Sequence, residues 1–277
     1  MTVYGTPSAN GENVVLVAHA LTGSSRVAEW WPALLGPGKL FDTRNWCIIG
    51  MDIAGEPTVG DVVRCQREAL DQLGIQRAHI VIGASLGGMQ ALQWALDAPN
   101  RIDHAFVIGA SDHHTTMGIA LNAVQREAIA LDPQQGLGLA RKIAMLTYKS
   151  EELFNERHGR KPDRTDPSRF DIEGYLDHQG DKLVARMDPQ TYVARTYLMD
   201  RFDLRDREAP PDVEITFVGI SSDWLFRPQE IRAAAKRLNA RYLELQSDHG
   251  HDAFLAEPDK LQALLAPLLT PERSLFC

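Results

Sequence analysis

Ser85 stands in Gly83-Ala84-Ser85-Leu86-Gly87, a G-x-S-x-G spacing, and its flanks give that spacing chemical meaning. A β-branched run, His79-Ile80-Val81-Ile82, leads in, and Met89-Gln90-Ala91-Leu92 leads out at helical period. A serine held in a tight strand-to-helix turn presents its hydroxyl, and flanking glycines, lacking Cβ, let the two backbones close up. The chemistry this points to is nucleophilic attack on an acyl carbon. The competing reading is a glycine-rich turn that only connects or that binds phosphate. The full dinucleotide fingerprint, with its later acidic residue, is absent.

A serine nucleophile needs a base, and the base needs an orienting acid, which follow in the order Ser, Asp or Glu, His in this arrangement. Asp223 comes after the apolar run 215–220 through a short Ser221-Ser222 turn, at the end of a predicted strand. His251 lies in Asp248-His249-Gly250-His251-Asp252, after the strand-like run 241–245. On spacing alone His249 competes with His251 as base. Asp248 and Asp252 compete less well with Asp223, because a neighbour in sequence is poorly placed to hold the far ring nitrogen. Two backbone N–H groups should face the developing oxyanion. One belongs to Leu86, and the candidate for the other is Leu21, in the loop His19-Ala20-Leu21-Thr22-Gly23. His19 reads as a structural histidine.

These residues must be carried by strands. Runs at 14–17, 47–50, 79–82, 105–108 and 215–218 are continuously apolar and end on Gly, Ser or Asp, as suits strands buried on both faces. Helical patterns at 61–73 and 88–96 alternate with them, which predicts βαβ units and a doubly wound, mostly parallel sheet. From His113 to Arg205 only helical patterns and a polar stretch at 157–168 are found, and strands resume after Pro210-Pro211. The organisation expected is a core formed by 1–112 and 206–277, interrupted by a helical lid at 113–205. A final helix is expected over 258–269.

The 277 residues carry a net charge of −8, which argues against a nucleic-acid partner because phosphate neutralisation needs a basic face. No apolar run reaches the length of a membrane span. Residues 1–11 read as polar and turn-like, without the charged and apolar regions of a secretory leader, so a cytoplasmic protein is expected. Cys47, Cys65 and Cys277 are too few and scattered for a disulfide framework or zinc site, and neither metal nor bound cofactor is expected.

The chain resembles the homoserine O-acetyltransferase family, an acyltransferase branch of the α/β-hydrolase fold. The likeness runs through His19-Ala20-Leu21-Thr22-Gly23, Trp30-Trp31, Gly36-Pro37-Gly38-Lys39 and the stretch 83–92. It continues in Tyr148-Lys149-Ser150, Phe154-Asn155-Glu156-Arg157, the stretch 175–182 and Met199-Asp200-Arg201. It is most specific in Ser222-Asp223-Trp224-Leu225-Phe226 and Gly250-His251-Asp252-Ala253-Phe254-Leu255, which favour His251 over His249. The resemblance implies a ping-pong transfer of acetyl from acetyl-CoA, a co-substrate, through Ser85 to the hydroxyl of homoserine, in methionine synthesis. It implies that Arg186 holds the amino acid's carboxylate, that Tyr192 lines the same pocket and that Asp252 holds the ammonium. It also implies a homodimer joined through the lid. The family's long glycine-rich insertion after the second of these strands is missing, since Met51-Asp52-Ile53-Ala54-Gly55-Glu56-Pro57-Thr58 runs almost straight into a helix. A succinyl donor, a serine acceptor, a plain esterase and a non-catalytic fold relic are the alternatives.

Overall fold

The computed structural model describes residues 1–53, 55–210 and 212–269, so Ala54, Pro211 and Cys277 lie outside the described residues. Seven strands form one sheet: β1 (Thr2–Tyr4), β2 (Val14–Ala18), β3 (Cys47–Met51), β4 (Ala78–Ala84), β5 (Ile102–Ile108), β6 (Glu214–Ile220) and β7 (Arg241–Leu245). Their order is β1-β3-β2-β4-β5-β6-β7, and every pair is parallel except β1 with β3. This is the α/β-hydrolase fold, a mostly parallel sheet flanked by helices, as the sequence implied.

Strand alternation sorts the core into two layers. Leu16, Ile49, Val81, Val107 and Phe217 point to one face, and Val15, Ile48, Ile82, Phe106 and Val218 point to the other. Both faces are covered, which is why the strands read as unbroken apolar runs. After the short α1 (Val27–Trp30), helix α2 (Val59–Gln72) buries Val59, Val62, Val63, Gln66 and Leu70, and the Thr58 hydroxyl caps it by accepting the Asp61 N–H. Helix α3 (Leu86–Asp97) is buried from Leu86 through Leu96, because it is sandwiched between the sheet and α2.

Between β5 and β6 the chain forms α4 (Thr116–Leu131), α5 (Pro133–Tyr148), α6 (Glu151–Arg157), α7 (Asp171–Val184) and α8 (Pro189–Asp200). The two ends of this helical insertion are stitched together. The His114 N–H donates to the Phe202 carbonyl at 3.1 Å, and the Leu204 N–H donates to the Asp112 carbonyl at 2.8 Å. Helix α9 (Pro228–Arg237) locks the seam through Arg237, whose Nε meets Asp112 Oδ2 at 2.8 Å. The chain closes with α10 (Ala253–Ala256) and α11 (Pro258–Leu269). No helix among the described residues is long and apolar enough to cross a membrane.

One reading of the sequence is corrected. Thr2–Tyr4 is not a turn but an edge strand, with Thr2, Val3 and Tyr4 opposite Gly50, Ile49 and Ile48. Three residues carry almost no periodicity, and what makes them a strand is the unpaired edge of β3.

Candidate active site

The order of the strands fixes where a site can form. The chain leaves β2 for β3 on one side and returns to β4 on the other, so the connections diverge at the carboxyl ends of β2 and β4 and leave a crevice. The loop His19–Gly23 leaves β2 there, and Ser85 leaves β4. Ser85 has φ 57° and ψ −125°, and Asn239 is the other described non-glycine residue with positive φ. Such a backbone costs on the order of 1–3 kcal/mol and must be held by its surroundings. The Ser85 N–H donates to the Ile108 carbonyl at 2.9 Å, and the Ser85 carbonyl accepts the Met89 N–H at 3.0 Å.

The glycines explain how the turn is made. A Cβ on Gly83 would overlap the Gly87 backbone, and one on Gly87 would overlap the Ala18 carbonyl. Gly87→Ala should therefore destabilise the protein by about 3 kcal/mol, since the obstacle is backbone and not a side chain that can swing away. A urea titration reads this as a lower midpoint at unchanged slope. A loss under about 0.5 kcal/mol would show that the strand–helix approach is not tight.

Asp223 and His251 are brought together from the loops after β6 and β7. His251 Nδ1 donates to Asp223 Oδ2 at 2.6 Å, and both residues are 3% exposed. The other carboxylate oxygen, Oδ1, accepts the N–H groups of Leu225 at 2.9 Å and Phe226 at 3.0 Å, so the carboxylate cannot turn. His251 Nε2 is buried and has no hydrogen-bond partner among the described residues. Burial disfavours the charged ring, but the Asp223 charge and hydrogen bond, with Asp252 behind, outweigh it and raise the His251 pKa above 6.5. His249 makes no such pair; burial and the nearby Lys149 and Arg157 lower its pKa. Ser85 and His251 share one support, the end of β5. Ile108 takes the serine amide, and the His251 ring lies against Gly109, where an added Cβ would sit 3.4 Å from Cε1.

Leu21 lies in the loop after β2, and Leu86 follows Ser85 at the end of β4. Leu86 is the first residue of α3, where an N–H has no acceptor within the helix. The His19 carbonyl accepts Gln90 Nε2 of α3 at 3.2 Å, which ties the two segments together. Arg186, which is exposed, donates through Nη1 to the Thr22 carbonyl at 2.7 Å and so reaches the same loop. Asp252 pairs with Lys149 Nζ at 2.9 Å. Tyr192 is fully buried in the core, and its hydroxyl donates to Gln125 Oε1.

Sequence reasoning assigned no role to Tyr148, Lys149, Arg195 or Phe226. The Tyr148 and Phe226 rings lie 5.6 and 5.4 Å from that of His251, and buried Arg195 donates to the Leu21 and Gly23 carbonyls. Tyr148, Lys149 and Phe226 fall within the segments that carry the family likeness, which marked them without giving them a task. Arg195 carried no signal, because its partners are backbone atoms more than 170 residues away. No group of three or more metal-ligating side chains is found among the described residues.

A serine in a strained strand-to-helix turn, followed in the chain by a buried Asp–His pair on the loops after later strands of a mostly parallel sheet, defines an α/β-hydrolase-fold protein. The family described as alpha/beta hydrolase fold matches residues 13–258. Within that class the chain belongs to the homoserine O-acetyltransferase family. It is 41% identical to homoserine O-acetyltransferase of Deinococcus radiodurans, over 93% of this chain and 82% of that protein. It is 35% identical to homoserine O-succinyltransferase of Aromatoleum aromaticum, over 95% of this chain and 88% of the relative. That second alignment spans 329 positions against 277 residues here, so the relative carries inserted residues that this chain lacks. Homoserine O-acetyltransferase of Bacillus anthracis superposes with a TM-score of 0.86 at 20% identity, covering 97% of this chain and 91% of that one, a likeness of fold.

Proposed function

We propose that this member of the homoserine O-acyltransferases moves an acetyl group from acetyl-CoA to the hydroxyl of L-homoserine by a ping-pong route through Ser85. The observation that carries the reading is the 41% identity to a homoserine O-acetyltransferase across nearly the whole chain. The geometry supports the serine chemistry. Ser85 Oγ attacks the thioester carbon while His251 Nε2 takes its proton, and the oxyanion rests on the N–H groups of Leu21 and Leu86. The carbon–sulfur bond breaks, His251 returns the proton to the thiolate, and CoA leaves an acetyl ester on Ser85. The homoserine hydroxyl then gives its proton to His251 and attacks the ester. O-Acetylhomoserine leaves as His251 returns the proton to Ser85 Oγ.

In this reading Arg186 receives the acceptor's carboxylate, as a planar guanidinium suits it. Asp252 receives the ammonium in exchange for Lys149, and Tyr192 backs the pocket wall. No metal or bound cofactor is required. The helical insertion acts as a lid that keeps water from the acyl ester.

Purified protein should release CoA from acetyl-CoA only when homoserine is present. Release without an acceptor would make the protein a hydrolase, and release with succinyl-CoA alone would reassign the donor. The acid limb of kcat/KM belongs to His251. The neutral ring is the base, and its raised pKa means that protonation begins above the usual value. Activity should therefore be lost as pH falls through a midpoint above about 6.5, and a midpoint below 6 would contradict the Asp223–His251 coupling.

Met117, Val124, Leu131, Leu139 and Leu146 on α4 and α5 are between 49% and 89% exposed, which supports a homodimer joined through the insertion. The mass in solution should be that of two chains, and a monomeric mass would remove this part of the reading.

A further inference from the structure

The loop His19–Gly23 is held through its backbone, because each of its five carbonyls accepts a hydrogen bond. His19 O accepts Gln90 Nε2 at 3.2 Å, and Ala20 O accepts His19 Nδ1 at 2.8 Å and the Gly23 N–H at 3.0 Å. Leu21 O accepts Arg195 Nη1 at 2.8 Å, Thr22 O accepts Arg186 Nη1 at 2.7 Å, and Gly23 O accepts Arg195 Nη1 at 3.1 Å. In a trans peptide the C=O and N–H point in opposite directions, so a donor that pins a carbonyl also aims the N–H on the other side of the same plane. The plane that carries the Leu21 N–H is the one whose carbonyl belongs to Ala20.

We propose that His19 is a positioning residue for the oxyanion site: its ring N–H, bonded to the Ala20 carbonyl, fixes the peptide that presents the Leu21 N–H. The inference rests on the reading of Ser85 and Leu21 given above. A carbonyl can only accept, so the proton of the neutral ring is on Nδ1. The ring is neutral in the working range, because burial and the Arg195 cation press its pKa down to about 4 against the Ala20 hydrogen bond and Asp52. His19 is 0% exposed, and its Nε2 is buried without a partner among the described residues. A bare nitrogen in the interior is a cost that an apolar side chain would avoid. The nitrogen that has a partner is the other one, Nδ1. Gly23 closes the arrangement, since a Cβ at that position would lie 2.8 Å from the His19 Cβ.

Asn places its amide nitrogen where His has Nδ1, whereas Gln extends its amide to where His has Nε2. The test compares His19→Asn, His19→Gln and His19→Leu in the full-length protein. The readout is the pre-steady-state burst with p-nitrophenyl acetate, whose amplitude counts active sites and whose rate constant reports acylation of Ser85. His19→Asn should acylate within about 3-fold of the wild type, and His19→Gln and His19→Leu should fall by about 10²-fold at full amplitude. The affinity of a trifluoromethyl ketone, which forms a tetrahedral adduct, should fall by the same factors while KM stays in place.

A role confined to filling space predicts the reverse for Asn, which is smaller than the ring: it would lose at least as much as Leu. That result, or His19→Leu within about 3-fold of the wild type, overturns the proposal. If His19→Gln does not fold, the Asn and Leu variants still decide. A wild type that gives no Ser85-dependent burst would remove the acyl-serine reading itself and the proposal with it.

Discussion

Ser85→Ala should abolish homoserine-dependent CoA release, with kcat falling on the order of 10⁶-fold and no acetyl adduct detectable on the protein by mass spectrometry. The size of the effect follows from what the substitution removes. Without Oγ there is no atom on which the acyl group can rest, so the reaction is left with the oxyanion donors and substrate binding alone. The fold should hardly notice. Ser85 already occupies φ 57°, and Ala has the same Cβ and the same backbone cost there. The backbone bonds to Ile108 and Met89 do not involve the side chain. The urea midpoint should therefore move by less than about 1 kcal/mol in free energy, which separates loss of the nucleophile from loss of the fold. A Ser85→Ala protein that keeps more than about a tenth of its activity would mean that the acyl group passes directly from donor to acceptor.

How much of this was legible in the sequence depends on how far apart the cooperating atoms are. The elbow was readable because its parts are contiguous: a strand, a turn that needs glycines, and a helix. Asp223 and His251 are 28 residues apart, and chain order with loop position narrowed the choice to a few carboxylates and two histidines. The bond from His251 Nδ1 to Asp223 Oδ2 separates His251 from His249 by geometry. The support of the crevice was not readable. Arg195 and Arg186 lie on the helical insertion and grip the carbonyls of a loop more than 160 residues earlier. A side chain whose partner is a main-chain oxygen leaves no complementary residue in the sequence to betray the contact. The same applies to Thr2–Tyr4, whose conformation is decided by the edge of β3.

The Lys149–Asp252 pair gives Asp252 a partner that the sequence did not reveal. The family likeness gives Asp252 to a substrate ammonium, and the chain supplies a resident ammonium at 2.9 Å. With side-chain exposures of 12% and 20%, neither charge is fully hydrated, and each is the other's partner. An acceptor that replaced Lys149 with its own ammonium would leave the charge near the base unchanged. The base would then meet the same local field in both half-reactions.

Asp223→Asn should lower kcat by about 10⁴-fold while the fold stays intact, although the substitution is isosteric. The reason lies in the two oxygens. Oδ1 accepts the N–H groups of Leu225 and Phe226, so an amide at this position must keep its oxygen there and turn its NH₂ toward His251. A donor facing Nδ1 forces the ring proton onto Nε2, the nitrogen that in the proposed mechanism must be bare to accept a proton from Ser85. The variant therefore holds the wrong tautomer, not merely a weaker pair. Removing the carboxylate also removes the charge that raises the His251 pKa, so the acid limb of the residual activity should move to lower pH. Asp223→Ala offers His251 no donor and lets the ring sample both tautomers, so it should retain more activity than Asp223→Asn wherever both fold. Equal activity of the two variants would show that the charge of Asp223, and not its control of the tautomer, is what the base requires. A loss under about tenfold for Asp223→Asn would remove Asp223 from the site altogether.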